Sequence, residues 1–291
     1  MGLPKEVLEE KIRKFVEEDV GQGDITSEIT VPSGTIVDAE VVVKESGVVA
    51  GVKESLIMLR NLQVEALVED GSRVERKTIV MKITGDARTL LSIERTLLNL
   101  LTRMSGIATM TNRLVNKVRR AGHKTRIACT RKVAPGLLYF DKRAVMLGGG
   151  DTHRLHMDDL VLIKDNHLAV GGKIADTVKT ARNTVSFSKK IEIEVTDARK
   201  ALDAAKAGAD IVMLDNFTPK QAKETISLLK KGGLRNKVLI EASGRITEQN
   251  ILDYAGTGVD ILSLGELTSS TKTLDMSLEF VNVRQRGSSK S

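Results

Sequence analysis

The apolar positions of this chain change rhythm twice. Residues 5–18, KEVLEEKIRKFVEE, put Leu8, Ile12, Phe15 and Val16 on one face at helical spacing. VGQGDITSEITVPSGT follows, rich in Gly, Thr, Ser and Pro, and reads as a loop. TIVDAEVVVKES, GVVAGV, LQVEALVEDGSRV and KTIVMKITGD are rich in β-branched residues and read as strands, with Asp70-Gly71 as a turn. The first hundred residues therefore predict an α+β domain built on an antiparallel sheet. Residues 86–122, from DARTLL to RRAG, are leucine-rich and helical. Ser105-Gly106 predicts a break into two helices, and Gly122 ends the second.

After residue 122 the pattern becomes an alternation. TRIAC, LVLIK, KIEIEV, DIVML, KVLIEA and DILSL are short apolar strands. Helical segments such as TDARKALDAAKAG and TPKQAKETISLLKKG lie between several of them. Such alternation predicts a parallel sheet covered by helices, either a barrel or a doubly wound sheet. The strand exits favour a barrel. TRK follows IAC, KDNH follows LVLI, Glu194 closes IEIE, DN follows VML, SG follows IEA and GELTSS follows LSL. In a barrel these exits converge on the C-terminal mouth, where chemistry takes place. Six clear strands predict an incomplete barrel. The expected division is an N-terminal domain over 1–110 and a barrel over 111–272. A tail, 273–291, carrying TLDMSLEFVNV, is expected to return to the first domain.

The bulk numbers narrow the function classes. A length of 291 residues suits one large barrel or two modest domains. With 41% hydrophobic and 29% charged residues, a soluble globule is expected. No apolar run approaches the ~18–20 residues that span a bilayer. The charged amphipathic N-terminus does not read as a secretory signal. One cysteine, Cys129, allows no internal disulfide and suits a reducing cytoplasm, and four histidines leave little material for a zinc site. The net charge of +7 raises the question of nucleic acid. Against it, there is no tryptophan, and only two tyrosines and five phenylalanines are available for stacking on bases. The cations are also dispersed among acidic residues. Neither nucleic acid nor membrane is expected as a partner; a basic cleft for phosphates and carboxylates explains the same excess.

LVLIKDNHLAVGG focuses the chemistry, because an apolar strand ends in Lys164-Asp165-Asn166-His167. Lys164 is either a Schiff-base amine, as in a class I aldolase, or a donor to an anionic substrate. Ser243-Gly244 and Gly265 follow the last two strands, where barrels often hold phosphate on backbone N–H groups. Taken singly, Arg131-Lys132 is an ordinary solvated basic pair, Arg95 a helix-surface arginine, His153 a satisfied buried histidine and Asp215 a helix cap. Their joint placement at strand exits favours a common site.

EDVGQGDIT, ERTLLNLLTRMSGIAT, TRKVAPGL, GGGDTHRL, LVLIKDNH, IEIEV, GADIVMLDN, EASGRI, YAGTGVD and LSLGELTSS occur in this order across residues 18–270. In this combination the chain resembles the quinolinate phosphoribosyltransferase family. The resemblance implies the type II phosphoribosyltransferase fold: an N-terminal α+β sandwich-like domain plus an incomplete, TIM-like α/β barrel. It implies transfer of phosphoribosyl from 5-phosphoribosyl-1-pyrophosphate to quinolinate, with loss of CO2 and with Mg2+ assisting. It further implies that Arg131, Lys132, His153, Arg154 and Lys164 line a dicarboxylate and phosphate pocket. Glu194 and Asp215 would face the ribose and the Mg2+-pyrophosphate, so that they meet the metal indirectly; Lys132, Lys164, Glu194 and Asp215 form the catalytic set. Ser243, Gly244 and Gly265 would hold a phosphate. Arg95 would come in trans from the partner of a homodimer or a dimer-based higher oligomer. Ile93, Leu97, Leu98, Leu100 and Leu101 cover more than one helix face, and a dimer interface is one way to bury them. Val133, Ala134, Leu138, Arg245 and Ser269 depart from the family pattern around the pocket. A related phosphoribosyltransferase of the same fold, acting on another pyridine or small carboxylate, is the nearest alternative.

Overall fold

Apolar periodicity and turn chemistry account for most of the elements seen in the computed structural model, which describes residues 2–285. The chain divides into two compact units, residues 1–110 with 271–291, and residues 111–270. Residues 286–291 of the expected returning tail lie outside the described residues.

The first unit opens with α1 (Lys5–Val20), whose Leu8 and Ile12 are buried. The segment read as a loop contains a short helix, α2 (Ile25–Thr30), capped by the Asp24 carboxylate accepting Ser27 N–H. Then come β1 (Thr35–Val43), β2 (Gly47–Val48), α3 (Val52–Met58), β3 (Gln63–Ala66), β4 (Arg73–Val74) and β5 (Ile79–Asp86). The long helix α4 (Ala87–Arg120) follows. The last strand, β12 (Met276–Gln285), completes an antiparallel sheet of order β12-β1-β5-β3, with Val43 opposite Met276 and Thr35 opposite Gln285. Alternation on β1 puts Val37, Ala39, Val41 and Val43 in a core with Val80, Ile83, Leu90, Leu97 and Leu101. β2 and β4 pair separately with each other.

Two expectations about the leucine-rich helix are corrected. It is unbroken through Ser105-Gly106. Ser105 Oγ accepts Ala50 N–H at 3.0 Å, and a Cβ on Gly106 would come within 2.8 Å of Thr273 Cα. These small residues admit neighbouring backbone rather than stop the helix. Ile93, Leu97, Leu98, Leu100 and Leu101 are all buried within the single chain. Their burial needs no second copy.

The second unit contains β6 (Arg126–Cys129), α5 (Leu138–Leu147), β7 (Val161–Ile163), α6 (Asp165–Gly171), α7 (Ile174–Thr184), β8 (Ile191–Val195) and α8 (Ala198–Lys206). It continues with β9 (Ile211–Asp215), α9 (Pro219–Lys231), β10 (Leu239–Ser243), α10 (Ile251–Ala255), β11 (Ile261–Leu264) and α11 (Glu266–Ser269). The helix starts are written in the sequence: Asp197 caps α8, and Thr218 with Gln221 forms a capping box on α9 with Pro219 in its first turn. The cap of α9 is thus Thr218, not Asp215. The six strands form one parallel sheet of order β6-β11-β10-β9-β8-β7. β6 and β7 are its two edges, so the barrel is incomplete. All six strands point the same way, which brings their polar exits to one end.

Candidate active site

Register decides which side chains share the barrel interior. Glu192 lies opposite Leu162 and Ile211, Glu194 opposite Met213, and Ser243 opposite both Asp215 and Ser263. Strand residues two apart share a face. Lys164, Glu194, Asp215 and Ser243 therefore occupy the last positions of one continuous face. Glu192 and Glu241 stand on the same face, each two residues before the rim residue of its own strand.

At the rim, Lys164 Nζ donates to Glu194 Oε2 at 2.7 Å. Its own N–H is received by His167 Nδ1 at 3.0 Å, which orders the start of α6. Asp215 Oδ2 accepts from Asn216 Nδ2 at 2.7 Å, and Asn216 N–H returns to Ser243 O at 2.8 Å. Asn216 (φ +56°) and Arg245 (φ +54°) both hold the left-handed conformation that costs a non-glycine residue. Gly244 between the two strand exits has φ +88°, and a Cβ there would lie 2.8 Å from Asn216 Cγ. Glycine is thus required twice over. Lys132 arches over Gly265, where a Cβ would meet its Cδ at 3.1 Å, while Lys132 O accepts from Thr268 Oγ1 at 2.7 Å. Arg131 and Lys132 are exposed, and Arg154 is half-buried. Burial and the nearby positive charge of Arg131 both push the Arg154 pKa down. Two like charges that feel each other favour a bound anion.

His153 is held mostly inside the protein. Its side chain is 11% exposed, and Nε2 lies 3.2 Å from both Glu192 and Glu241, which are fully buried. Nδ1 accepts the Arg154 backbone N–H at 2.7 Å. Both ring nitrogens are thus engaged by protein. Burial works against a charged imidazole, but the hydrogen bonds and charges of the two glutamates outweigh it and raise the His153 pKa to about 10. Nδ1 faces a donor, so the second proton of this cluster sits on the carboxylate side. Burial pushes Glu192 up, the direction a protonated carboxyl needs.

The structure therefore brings together Arg131, Lys132, Arg154, Lys164, Glu194, Asp215, Ser243, Gly244 and Gly265 in one unit. Arg95 belongs to the other unit, exposed on α4. Cys129 is buried, and burial raises its thiol, so it is no nucleophile. Sequence reasoning missed Lys142, Glu192 and Glu241. A glutamate in the middle of an apolar strand, as in IEIEV and LIEAS, was the available signal.

Family models agree with this reading of the chain. The quinolinate phosphoribosyl transferase C-terminal domain matches residues 107–279, and the N-terminal domain matches residues 24–105. The probable nicotinate-nucleotide pyrophosphorylase [carboxylating] of Methanothermobacter thermautotrophicus is 46% identical, over 92% of this chain and 97% of its own. The human nicotinate-nucleotide pyrophosphorylase [carboxylating] is 37% identical, over 81% of this chain and 80% of its own. The solved structure of the nicotinate-nucleotide pyrophosphorylase from Francisella tularensis superimposes with a TM-score of 0.88 at 34% identity, covering 96% of this chain and 98% of that one.

Proposed function

The chain belongs to the quinolinate phosphoribosyltransferase family, and from that premise we propose how its barrel mouth performs the transfer. The reaction joins the quinolinate ring nitrogen to C1 of 5-phosphoribosyl-1-pyrophosphate. Pyrophosphate leaves, the 2-carboxylate departs as CO2, a proton from solvent takes its place at C2, and nicotinate mononucleotide remains for NAD biosynthesis. The observation that carries the site assignment is the strand register that sets the Glu194 and Asp215 carboxylates on one face at adjacent strand ends, with Lys164 bonded to Glu194.

Arg131 and Arg154 hold the pyridine dicarboxylate, since a planar guanidinium matches a carboxylate in two-point contact. Lys132 and Lys164 supply positive charge where pyrophosphate and carboxylate develop or lose charge. Glu194 and Asp215 stabilise positive charge growing at C1. Ser243, Gly244 and Gly265 receive a phosphate on backbone N–H groups. The carboxylates of Glu194 and Asp215, at adjacent strand ends, are the hard oxygen donors that suit Mg2+. When bound with pyrophosphate, the ion would neutralise charge on the leaving group. His153 supports the pocket from beneath.

The Lys164 amine is hydrogen-bonded to Glu194 and 42% exposed. That differs from the desolvated apolar pocket that activates a Schiff-base lysine. An aldolase-like use of Lys164 is not favoured.

Incubation with quinolinate, 5-phosphoribosyl-1-pyrophosphate and Mg2+ is expected to yield nicotinate mononucleotide by mass spectrometry. Product from a pyridine monocarboxylate, with none from quinolinate, would move the substrate assignment to the nearest alternative.

A cytoplasmic homodimer, or a higher oligomer of dimers, completes the proposal, with Arg95 reaching the partner's site. Its support is the family resemblance. No helix among the described residues is long and apolar enough to cross a membrane. If inactive Arg95→Ala and inactive Lys132→Ala chains exchange subunits at random, half the dimers are mixed, and each mixed dimer holds one intact site. Activity is expected to return to roughly a quarter of wild type. No recovery, with exchange confirmed by native mass spectrometry, would remove Arg95 from the partner's site.

A further inference from the structure

Arg154 sits at the end of a sharply bent segment. His153 has φ +51°, a conformation that a non-glycine residue keeps only where its surroundings hold it. Three sets of contacts hold this one. Asp151 adds a single bridge to the edge of β6, donating to Ile127 O at 2.7 Å and accepting from Cys129 N at 3.1 Å. Lys142, fully buried on α5, donates from Nζ to Thr152 O and to Arg154 O, the latter at 2.9 Å. One ammonium thus ties the carbonyls on both sides of His153. The imidazole forms the third tie, from Glu192 on β8 and Glu241 on β10 through the ring to the Arg154 N–H.

We infer that Lys142, Glu192 and Glu241 are positioning residues that aim the Arg154 guanidinium at a substrate carboxylate, with His153 as the pin between them. The inference rests on the proposed substrate contact at Arg154.

Charge burial is the reason to assign these groups a task. A fully buried lysine or glutamate is costly unless paired, and an apolar core of the same volume is often at least as stable. Apart from His153 Nε2, both oxygens of Glu192 and Oε2 of Glu241 meet no hydrogen-bond donor among the described residues. Ser263 Oγ donates to the remaining oxygen of Glu241. The interior thus carries polar groups that its packing does not require. All of them converge on the backbone that carries Arg154. A guanidinium displaced by about 1 Å from its carboxylate partner can lose on the order of 100-fold in rate.

A metal is the rival occupant of the pin. His153, Glu192 and Glu241 offer three ligand atoms within 4.8 Å of one another. A histidine that binds metal through Nε2 normally donates its Nδ1–H to an acceptor. Here Nδ1 accepts, so the ring proton belongs on Nε2, between the carboxylates.

A set of double-mutant cycles tests the assignment. Lys142→Met, Glu192→Gln and Glu241→Gln are each made in the wild-type chain and in Arg154→Ala. Beside an intact Arg154, each is expected to raise KM for quinolinate about 10- to 100-fold, with KM for 5-phosphoribosyl-1-pyrophosphate within about twofold. In Arg154→Ala the same substitutions are expected to change the quinolinate KM less than about twofold. Equal factors in both backgrounds, or both KM values rising together, mean a general structural role and overturn the inference. An unchanged quinolinate KM in Arg154→Ala alone sinks the substrate contact, and the positioning role with it. The wild-type protein gives a second check that does not depend on variants folding. Nitrogen-15 spectra of its four histidines, assigned with a His167→Gln variant, are expected to show the His153 ring protonated at Nε2 and bare at Nδ1, as Nδ1 of His167 also accepts a backbone N–H. The opposite tautomer, with an equimolar metal found by elemental analysis, would replace the pin by a metal site.

Discussion

Glu192 and Glu194 stand two residues apart on one strand and share one face, yet they live in different chemistry. Glu194 is at the rim, paired to a half-exposed lysine. Glu192 is fully buried against a histidine, and burial raises its carboxyl. One step of 6–7 Å along a β-strand thus separates a group free to meet substrate from a group that holds the protein's own backbone. The same contrast runs around the sheet. Arg131, Lys132 and Asp215 stand at its strand exits, whereas Lys142 and Glu241 are fully buried. The rim can exchange protein partners for ligand, while the layer below cannot give up a partner without leaving a buried charge alone. Substitutions at the rim should therefore change catalysis and spare stability; substitutions beneath should change both.

The largest effect is expected at the rim. Arg131→Ala should lose about 2–5 kcal/mol of transition-state binding, read from kcat/KM, as for other charge-assisted contacts to a desolvated anion. The melting temperature should stay within a degree or two, because the side chain is exposed and makes no buried pair. Near-normal turnover with quinolinate would remove Arg131 from the pocket. A large loss of stability would break the contrast between the two layers.

Beneath the rim, the sign of the pH dependence is the sharper readout. The cluster of His153 with Glu192 and Glu241 keeps its extra proton up to about pH 10, the raised value of its histidine, against an ordinary unfolded imidazole value of about 6.5. A group whose pKa is raised on folding stabilises most at pH values below its unfolded pKa. That contribution fades as the pH climbs through the folded value. Glu192, raised by burial, acts in the same direction. His153→Gln should therefore cost about 2–4 kcal/mol of unfolding free energy near pH 6, and much less near pH 10. Denaturant titrations of both proteins across that window measure the difference. A gap that stays constant with pH would mean that the ring contributes shape alone.

The rim was more legible in the sequence than the layer supporting it, and the reason is geometric. Lys164, Glu194, Asp215 and Ser243 each close an apolar run, so a local pattern exposes them. Glu192 and Glu241 also stood out locally, as charges inside apolar strands. Their partner did not, because His153 comes from a loop nearly forty residues before one and ninety before the other. Lys142 sits in a helix among apolar residues, and nothing in LYFDKRAVML says that its amine turns to backbone carbonyls. Gly106 failed for a similar reason. Its meaning lies in the approach of residues 272–274, far along the chain, and local rules can only read it as a break. The short helix after Asp24 was missed although its cap was in view, since glycines and a proline crowd its six residues.

The smallest expected effect bears on the cost of building the rim. Arg245, one of the positions expected to differ from the family pattern, holds φ +54°. It follows Gly244, which has φ +88°, so two left-handed residues stand in succession after β10. That turn brings the Ser243-Gly244 backbone to the mouth. A non-glycine side chain there costs about 1–2 kcal/mol, part of which glycine would recover. Glycine also gives the unfolded chain more freedom, which offsets some of the gain. Arg245→Gly should therefore stabilise the protein by only about 0.5 kcal/mol, seen as a small rise in the denaturant midpoint. The same variant tests whether the departure has a role in binding. If the Arg245 guanidinium faces no substrate, KM for both substrates stays within about twofold. A rise confined to 5-phosphoribosyl-1-pyrophosphate would show that this chain keeps a strained arginine at the rim as an extra phosphate contact. Lower stability would mean that the left-handed turn is held by contacts of the arginine side chain, and the layer contrast would then fail at its own edge.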